Sequence, residues 1–262
     1  MLKLTIFFTA ISIAVFFSYG RNVTFIKGKV EFALLDANEA NSSGTLDINS
    51  SINNQVIGTS TGSRIQVESN DKIWRLGSSS TAQFVNSKHL YIFNGSVLVC
   101  FTESFEITIE TISSNATFRG KGTFLIETTS NGGFKFIPIE INGILTTDIG
   151  DAKELRDGRM LLVLNNPSEL GNAYDIDLLL LLKSSRLINA FPSNLPSMDQ
   201  ISLAVYKQQL KLKGKYDALI GDATSNENLQ MWKFGKKTGL EPSTSQSPES
   251  KKGFFKSFFG KE

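Results

Sequence analysis

Between residues 57 and 163 the chain alternates apolar and polar positions in short runs, each closed by glycine or by an Asn/Asp pair. Ile65 and Val67 fall on one side of an extended segment, and Arg64, Gln66 and Glu68 on the other. Phe105, Ile107 and Ile109 alternate in the same way with Glu106, Thr108 and Glu110. Phe134, Phe136 and the segment Ile137-Pro138-Ile139-Glu140-Ile141 continue the pattern. Val, Ile, Phe and Thr suit a pleated, half-buried surface, so the pattern predicts a mainly β fold of short strands. Pro138 has no N–H for a ladder, which predicts an edge strand or a bulge there. Asn142-Gly143 and Asp157-Gly158 predict turns. Strand spacing of roughly ten residues suits two stacked sheets or a β-solenoid, and we favour a flattened, solenoid-like sandwich.

The pattern differs at both ends. Residues 23–56 hold apolar patches (Val23 to Ile26, Val30 to Leu35) and an Asn/Ser/Gly-rich surface loop over 40–54. Beyond Pro167, Ser168 to Ala190 and Met198 to Leu219 read as two helices, with Phe191-Pro192 and Leu195-Pro196 as breakers between them. They are expected to cover the β-body or to form a small appendage. Residues 1–20 combine Lys3, an apolar run from Ile6 to Phe17, and the small residues Ser18 and Gly20. That is the pattern of a secretory signal peptide, with an uncleaved anchor as the alternative. The run is shorter than the ~20 residues that a bilayer span needs. The expected organisation is a signal peptide over 1–20, an all-β domain over 21–165, a helical segment over 166–235, and a linker with a tail over 236–262.

Composition changes this picture in three places. The formal net charge is +2, which argues against a nucleic-acid partner. The single cysteine, Cys100, excludes an internal disulfide; an exported chain of this size without one suits a bacterial envelope. Residues 238–250 read as a disordered linker. After it, Phe254, Phe255, Phe258 and Phe259 share one helical face, among Lys251, Lys252 and Lys256. This amphipathic tail is a candidate dock for a partner groove or for peripheral contact with an anionic membrane.

Candidate chemistry is sparse. His89 is the only histidine and reads as a strand-edge residue, since metal sites gather several ligands. Cys100 reads as a small packed side chain. Glu103 with Glu106, Asp148 with Asp151 and Asp175 with Asp177 are the acid pairs that glycosidase chemistry would draw on. Gly120-x-Gly122 lacks the Lys-Ser/Thr of a phosphate loop. No cofactor motif is present. Trp74 and Tyr91 could stack on sugars, although strand aromatics more often pack in a core.

An ordered set of motifs resembles the FecR-type domain of bacterial envelope proteins. It comprises Gly62-Ser63-Arg64, Ile73-x-Arg75-Leu76, Asn94-Gly95 resuming as Ser96-Val97, Phe118-x-Gly120-x-Gly122-Thr123-Phe124, Ile139-Glu140-Ile141-Asn142-Gly143, and Leu155-x-Asp157-Gly158. The resemblance spans about residues 55–165. It implies a periplasmic or envelope location and ligand or partner binding rather than catalysis. Family regulators carry an anti-sigma segment ahead of their membrane span; with two residues before Lys3, direct control of a sigma factor is not expected here. The expected function is thus an exported, non-catalytic module that recognises a protein partner or an envelope polysaccharide in signalling or envelope organisation. The alternatives are a structural envelope component attached through its tail, and a carbohydrate-active enzyme on a β-solenoid.

Overall fold

The computed structural model describes residues 20–34, 43–165, 167–219 and 231–234. Residues 1–19 of the proposed signal segment, the linker and the phenylalanine tail lie outside these residues. Fifteen strands make one sheet: β1 (Arg21–Lys27), β2 (Val30–Leu34), β3 (Ser43–Thr45), β4 (Ser51–Ile52), β5 (Gln55–Thr59), β6 (Arg64–Ser69), β7 (Lys72–Leu76), β8 (Thr81–Asn86), β9 (His89–Asn94), β10 (Ser96–Glu110), β11 (Asn115–Thr128), β12 (Phe134–Thr147), β13 (Ala152–Glu154), β14 (Arg159–Leu164) and β15 (Glu169–Asp175). Three helices follow, α1 (Leu178–Ser184), α2 (Arg186–Asn189) and α3 (Met198–Leu212). A two-stranded ribbon, β16 (Tyr216–Leu219) with β17 (Met231–Phe234), ends the described chain.

The sheet branches at β10. Residues Val97 to Phe101 pair antiparallel with β7, whereas Thr108 to Glu110 run parallel to β9. Between them the register with β11 slips after Phe101 and resumes at Phe105. This bulge bends the long strands β10, β11 and β12 from one layer into the other. The two layers face each other across one core. Trp74 of β7 and Phe84 of β8 are not sheet neighbours, yet their rings meet edge-on at 5.5 Å. Phe101, Phe118, Phe124 and Phe136 fill the corner, with Phe124 and Phe136 stacked at 4.5 Å. The sheet is open, and the described pairing shows no solenoid.

Several expectations hold in detail. Ile65, Val67, Ile107 and Ile109 all point into the core. Register between β11 and β12 slips from Thr123–Glu140 to Phe124–Pro138, so the strand carrying Pro138 has the expected bulge. Asp157-Gly158 is a turn. Asn142-Gly143 is not a turn: both residues lie inside β12, where Gly143 stands opposite Gly120. A side chain on Gly143 would meet the Arg119 carbonyl at 2.5 Å, so glycine there admits a close backbone approach. The loop expected over 40–54 contains the short strands β3 and β4.

The helical reading needs a second correction. Glu169 to Asp175 forms β15, paired with β14, and its Leu170 enters the core. The first helix begins only at Leu178, where the Asp177 carboxylate accepts a hydrogen bond from the Leu180 N–H at 3.0 Å. The last helix stops at Leu212 because Lys213 (φ 49°) and Gly214 (φ 77°) turn left-handed, and the chain re-enters a strand.

The helices form a third layer over the outer face of the β7–β10–β11–β12 sheet. Ile201, Ala204 and Val205 of α3 pack with Leu98, Cys100, Leu125, Ile137 and Ile139 in a second apolar cluster. Arg75 projects from β7 into the seam and is fully buried. Its Nε donates to Gln66 Oε1 at 2.7 Å, its Nη1 to the Leu187 and Ile188 carbonyls at 3.0 and 3.1 Å, and its Nη2 to the Ser193 carbonyl at 2.6 Å. The guanidinium lies 4.4 Å from the centre of the Phe191 ring. Burial lowers its pKa to about 10. At the far end, Gln208 accepts from the Leu178 N–H at 3.1 Å and donates to the Ile176 carbonyl at 2.8 Å, fixing α3 to the start of α1.

Candidate functional site

The residues carrying the FecR-like resemblance are dispersed through the framework. Gly62 sits in the turn before β6; Ser63 is buried, and its Oγ accepts from the Lys29 N–H at 2.9 Å. Arg64 opens β6, with its guanidinium 5.8 Å from the Phe191 ring centre. Leu76 and Phe124 are in the core. Gly95 separates β9 from β10. Gly122 and Thr123 lie in β11, and Thr123 Oγ1 is 2.6 Å from Ser197 Oγ in the helical seam. Gly143 lies inside β12, and the Gly158 carbonyl is 3.5 Å from Gln208 Nε2. These positions shape turns, core and seam, and do not converge on one site.

Most acids of these pairs, and the histidine, are likewise committed to local partners. Glu106 pairs with Arg119 (2.7 Å to Nε), whose hydrogen bond and charge hold its carboxyl below the usual range. Asp151 accepts from the Leu170 N–H at 2.9 Å, Asp175 faces Arg159 Nε at 3.4 Å, and Asp177 caps α1. His89 Nε2 is 2.7 Å from Glu110 Oε2. Cys100 is buried, with its Sγ 3.5 Å from Ser197 Oγ. Among the described residues, no group of three or more His, Cys, Asp or Glu side chains could hold a metal ion.

One outward face does gather binding chemistry. Leu90 and Ile92 of β9 point inward and are fully buried, which sends His89, Tyr91 and Phe93 outward. The Tyr91 and Phe93 rings lie 4.5 Å apart, tilted by 49°. In register, Tyr91 stands between Gln83 of β8 and Glu110 of β10. Partial burial, and then the nearby Glu110 charge, push the Tyr91 hydroxyl above its ordinary pKa. Phe93 opens onto a shallow hollow of about 350 Å³ lined also by Asn94, Thr111, Ile112, Thr128, Thr129 and Ser130. Ile112 on its rim is 68% exposed. Thr111, Thr128 and Thr129 donate their hydroxyls to Gly132, Gly95 and Asn131, so Asn94 and Ser130 supply the polar groups beside the aromatic faces, a pairing that suits a ligand with apolar faces and hydroxyls. Trp74, the other sequence candidate for stacking, is core. A second hollow of about 420 Å³ lies between Ile26 and Ile48 and carries no aromatic ring.

The sequence reading missed one feature. Glu140 of β12 and Asp157 of the turn between β13 and β14 are neighbouring, half-buried carboxylates, and both pKa values are raised. Desolvation is the main cause for each; the Asp157 charge adds to it at Glu140, where Lys121 opposes it, while at Asp157 the Ile141 N–H and then Lys207 oppose it. Such acids bind protons more tightly in the fold than in the open chain. Their contribution to stability is therefore complete below the ordinary carboxylate range and is lost as pH rises through their raised values. Asp157 Oδ1 also accepts from the Ile141 N–H at 2.8 Å, an acceptor that asparagine retains. Asp157→Asn is expected to unfold at a higher temperature than the parent at neutral pH, with the gain vanishing near about pH 4. A lower melting temperature at neutral pH would show that the charged hydrogen bond from the Ile141 N–H and attraction to Lys207 outweigh desolvation.

Comparison of the chain with protein-family models, with curated proteins and with solved structures finds no match.

Proposed function

We propose that the chain is an exported, non-catalytic binding module with a FecR-like body, which recognises an envelope polysaccharide or a protein partner in signalling or envelope organisation. The observation that supports it best is the outward Tyr91–Phe93 pair beside a hollow edged by Asn94 and Ser130. A rigid strand presents both rings at fixed spacing, so little ordering entropy opposes a ligand that stacks on them. This face suits the flat, hydroxyl-rich surface of a sugar chain, which gives the polysaccharide reading the stronger support of the two.

The test is binding of the purified chain to size-fractionated envelope polysaccharide, measured by calorimetry, with the Tyr91→Ala/Phe93→Ala variant beside it. Truncating two aromatic anchors is expected to weaken binding by roughly thirtyfold or more. Equal affinity of parent and variant for any saturable ligand would move the site elsewhere.

A further inference from the structure

Helix α3 is apolar on two opposite sides. Ile201, Ala204 and Val205 face the sheet, while Leu203, Tyr206 and Leu210 form a ridge on the far side and are 50%, 62% and 60% exposed. In the same layer α1 exposes Leu180 to 61%. A solvated helix ordinarily places polar residues there. The charge of the helical layer is mostly of one sign, with Asp199 one turn before Leu203 on the ridge side of α3. Residues 178–215 contain six basic side chains, Lys183, Arg186, Lys207, Lys211, Lys213 and Lys215, and a single acid, Asp199. Residues 21–177, the body beneath, hold thirteen basic and eighteen acidic residues. Positive charge is thus concentrated on the layer that carries the exposed leucines.

We propose that this outer face of the helical layer docks on an anionic lipid bilayer, with Leu203, Tyr206 and Leu210 entering the interface and the lysines engaging headgroups. An apolar ridge bordered by lysines is the arrangement of an interfacial helix, in which apolar burial and attraction to anionic lipid act together. No described helix is long and apolar enough to cross a membrane, so the contact lies along the surface. Lysine stems can lie along the acyl boundary while their ammonium groups stay at the headgroups. The same positive charge disfavours the lysine-rich tail of this chain as the occupant. Docking here would leave the Tyr91–Phe93 face, on the other sheet layer, free for its ligand.

The test uses the full chain carrying Tyr206→Trp, mixed with vesicles of phosphatidylcholine containing about 25% phosphatidylglycerol, a share of anionic lipid that gives the surface a negative potential. Brominated acyl chains quench tryptophan that enters the bilayer, and the unsubstituted chain supplies the background from Trp74 and Trp232. The added fluorescence is expected to be quenched. Vesicle partitioning is expected to fall about tenfold in Leu203→Gln/Leu210→Gln and to weaken between ~0.1 and ~0.5 M salt. Both leucines are exposed, so the double variant keeps the fold; circular dichroism checks this. Vesicle binding with residue 206 unquenched would assign the contact to the tail and overturn the proposal. Lipid-independent dimerisation that the double variant abolishes, without vesicle binding, would assign the ridge to a second copy and overturn it equally.

Discussion

Replacing Arg75 by methionine is expected to lower folding stability by about 3–5 kcal/mol. A buried charge can often be exchanged for an apolar side chain of similar volume at little cost, provided that its partners leave with it. Here they cannot. Three of the four acceptors are the backbone carbonyls of Leu187, Ile188 and Ser193, and the first two remain buried in the seam after the exchange. The fourth, Gln66 Oε1, loses its hydrogen bond from Arg75 Nε and keeps only a long approach of Ser193 Oγ at 3.5 Å. Lysine retains the charge but lacks the planar fork that reaches several acceptors at once. Arg75→Lys is therefore expected to recover less than half of the loss. Hydrogen exchange distinguishes this from general weakening: residues 186–212 should lose protection before the strands do. Uniform loss across the chain, or a neutral methionine variant, would show that apolar packing alone holds the helical layer.

Alanine at Gly122 is expected to lower stability by about 4 kcal/mol or to prevent folding, through backbone strain and overpacking together. Gly122 adopts φ 129°, a region closed to side chains, in the middle of β11. An added Cβ would approach the Glu140 carbonyl oxygen at 2.2 Å. Two residues earlier, Gly120 repeats the geometry at φ 151°, with the Asn142 carbonyl at 2.2 Å. Together these glycines let β11 and β12 bend closely around the corner where β10 bulges. Gly58 is the control: it lies in β5, at ordinary φ, and an added Cβ would meet nothing within 4 Å. Gly58→Ala is expected to change stability by less than about 0.5 kcal/mol. Denaturant midpoints for the two variants measure the contrast. Near-equal midpoints would mean that the corner relaxes freely.

Where one phase of the alternation is polar, the strands were readable from the sequence. Phe105, Ile107 and Ile109 against Glu106, Thr108 and Glu110 allow one orientation only, and the Pro138 bulge follows from a missing donor. Where both phases are apolar, the inward side could not be read. In His89-Leu90-Tyr91-Ile92-Phe93 either set could have filled the core, and packing selects the aliphatic pair. That selection creates the outward aromatic face, so Tyr91 was visible as a possible stacking residue while Phe93 and its hollow were not. Helix α3 poses the same problem at helical spacing, with its ridge indistinguishable from its buried side until the sheet is in place.

Other misreadings have local causes. Glu169 to Asp175 contains no β-branched residue, and it becomes a strand because β14 offers an edge to pair with. Asn142-Gly143 has turn chemistry, but its glycine serves a close approach to Gly120 across the ladder. The Arg75 seam depends on residues 112 to 118 positions apart, a separation that spacing rules do not reach.

The central functional claim is that the outward face of β9 is a contact surface, and photo-crosslinking in the native cell tests it most directly. A photoreactive residue replaces Phe93 in the full chain, and a matched variant carries it at Ile48, beside the hollow without aromatic residues. The expected result is a discrete, saturable adduct from position 93 that is absent from position 48. Adducts from 48 alone, or the same diffuse background from both, would contradict it.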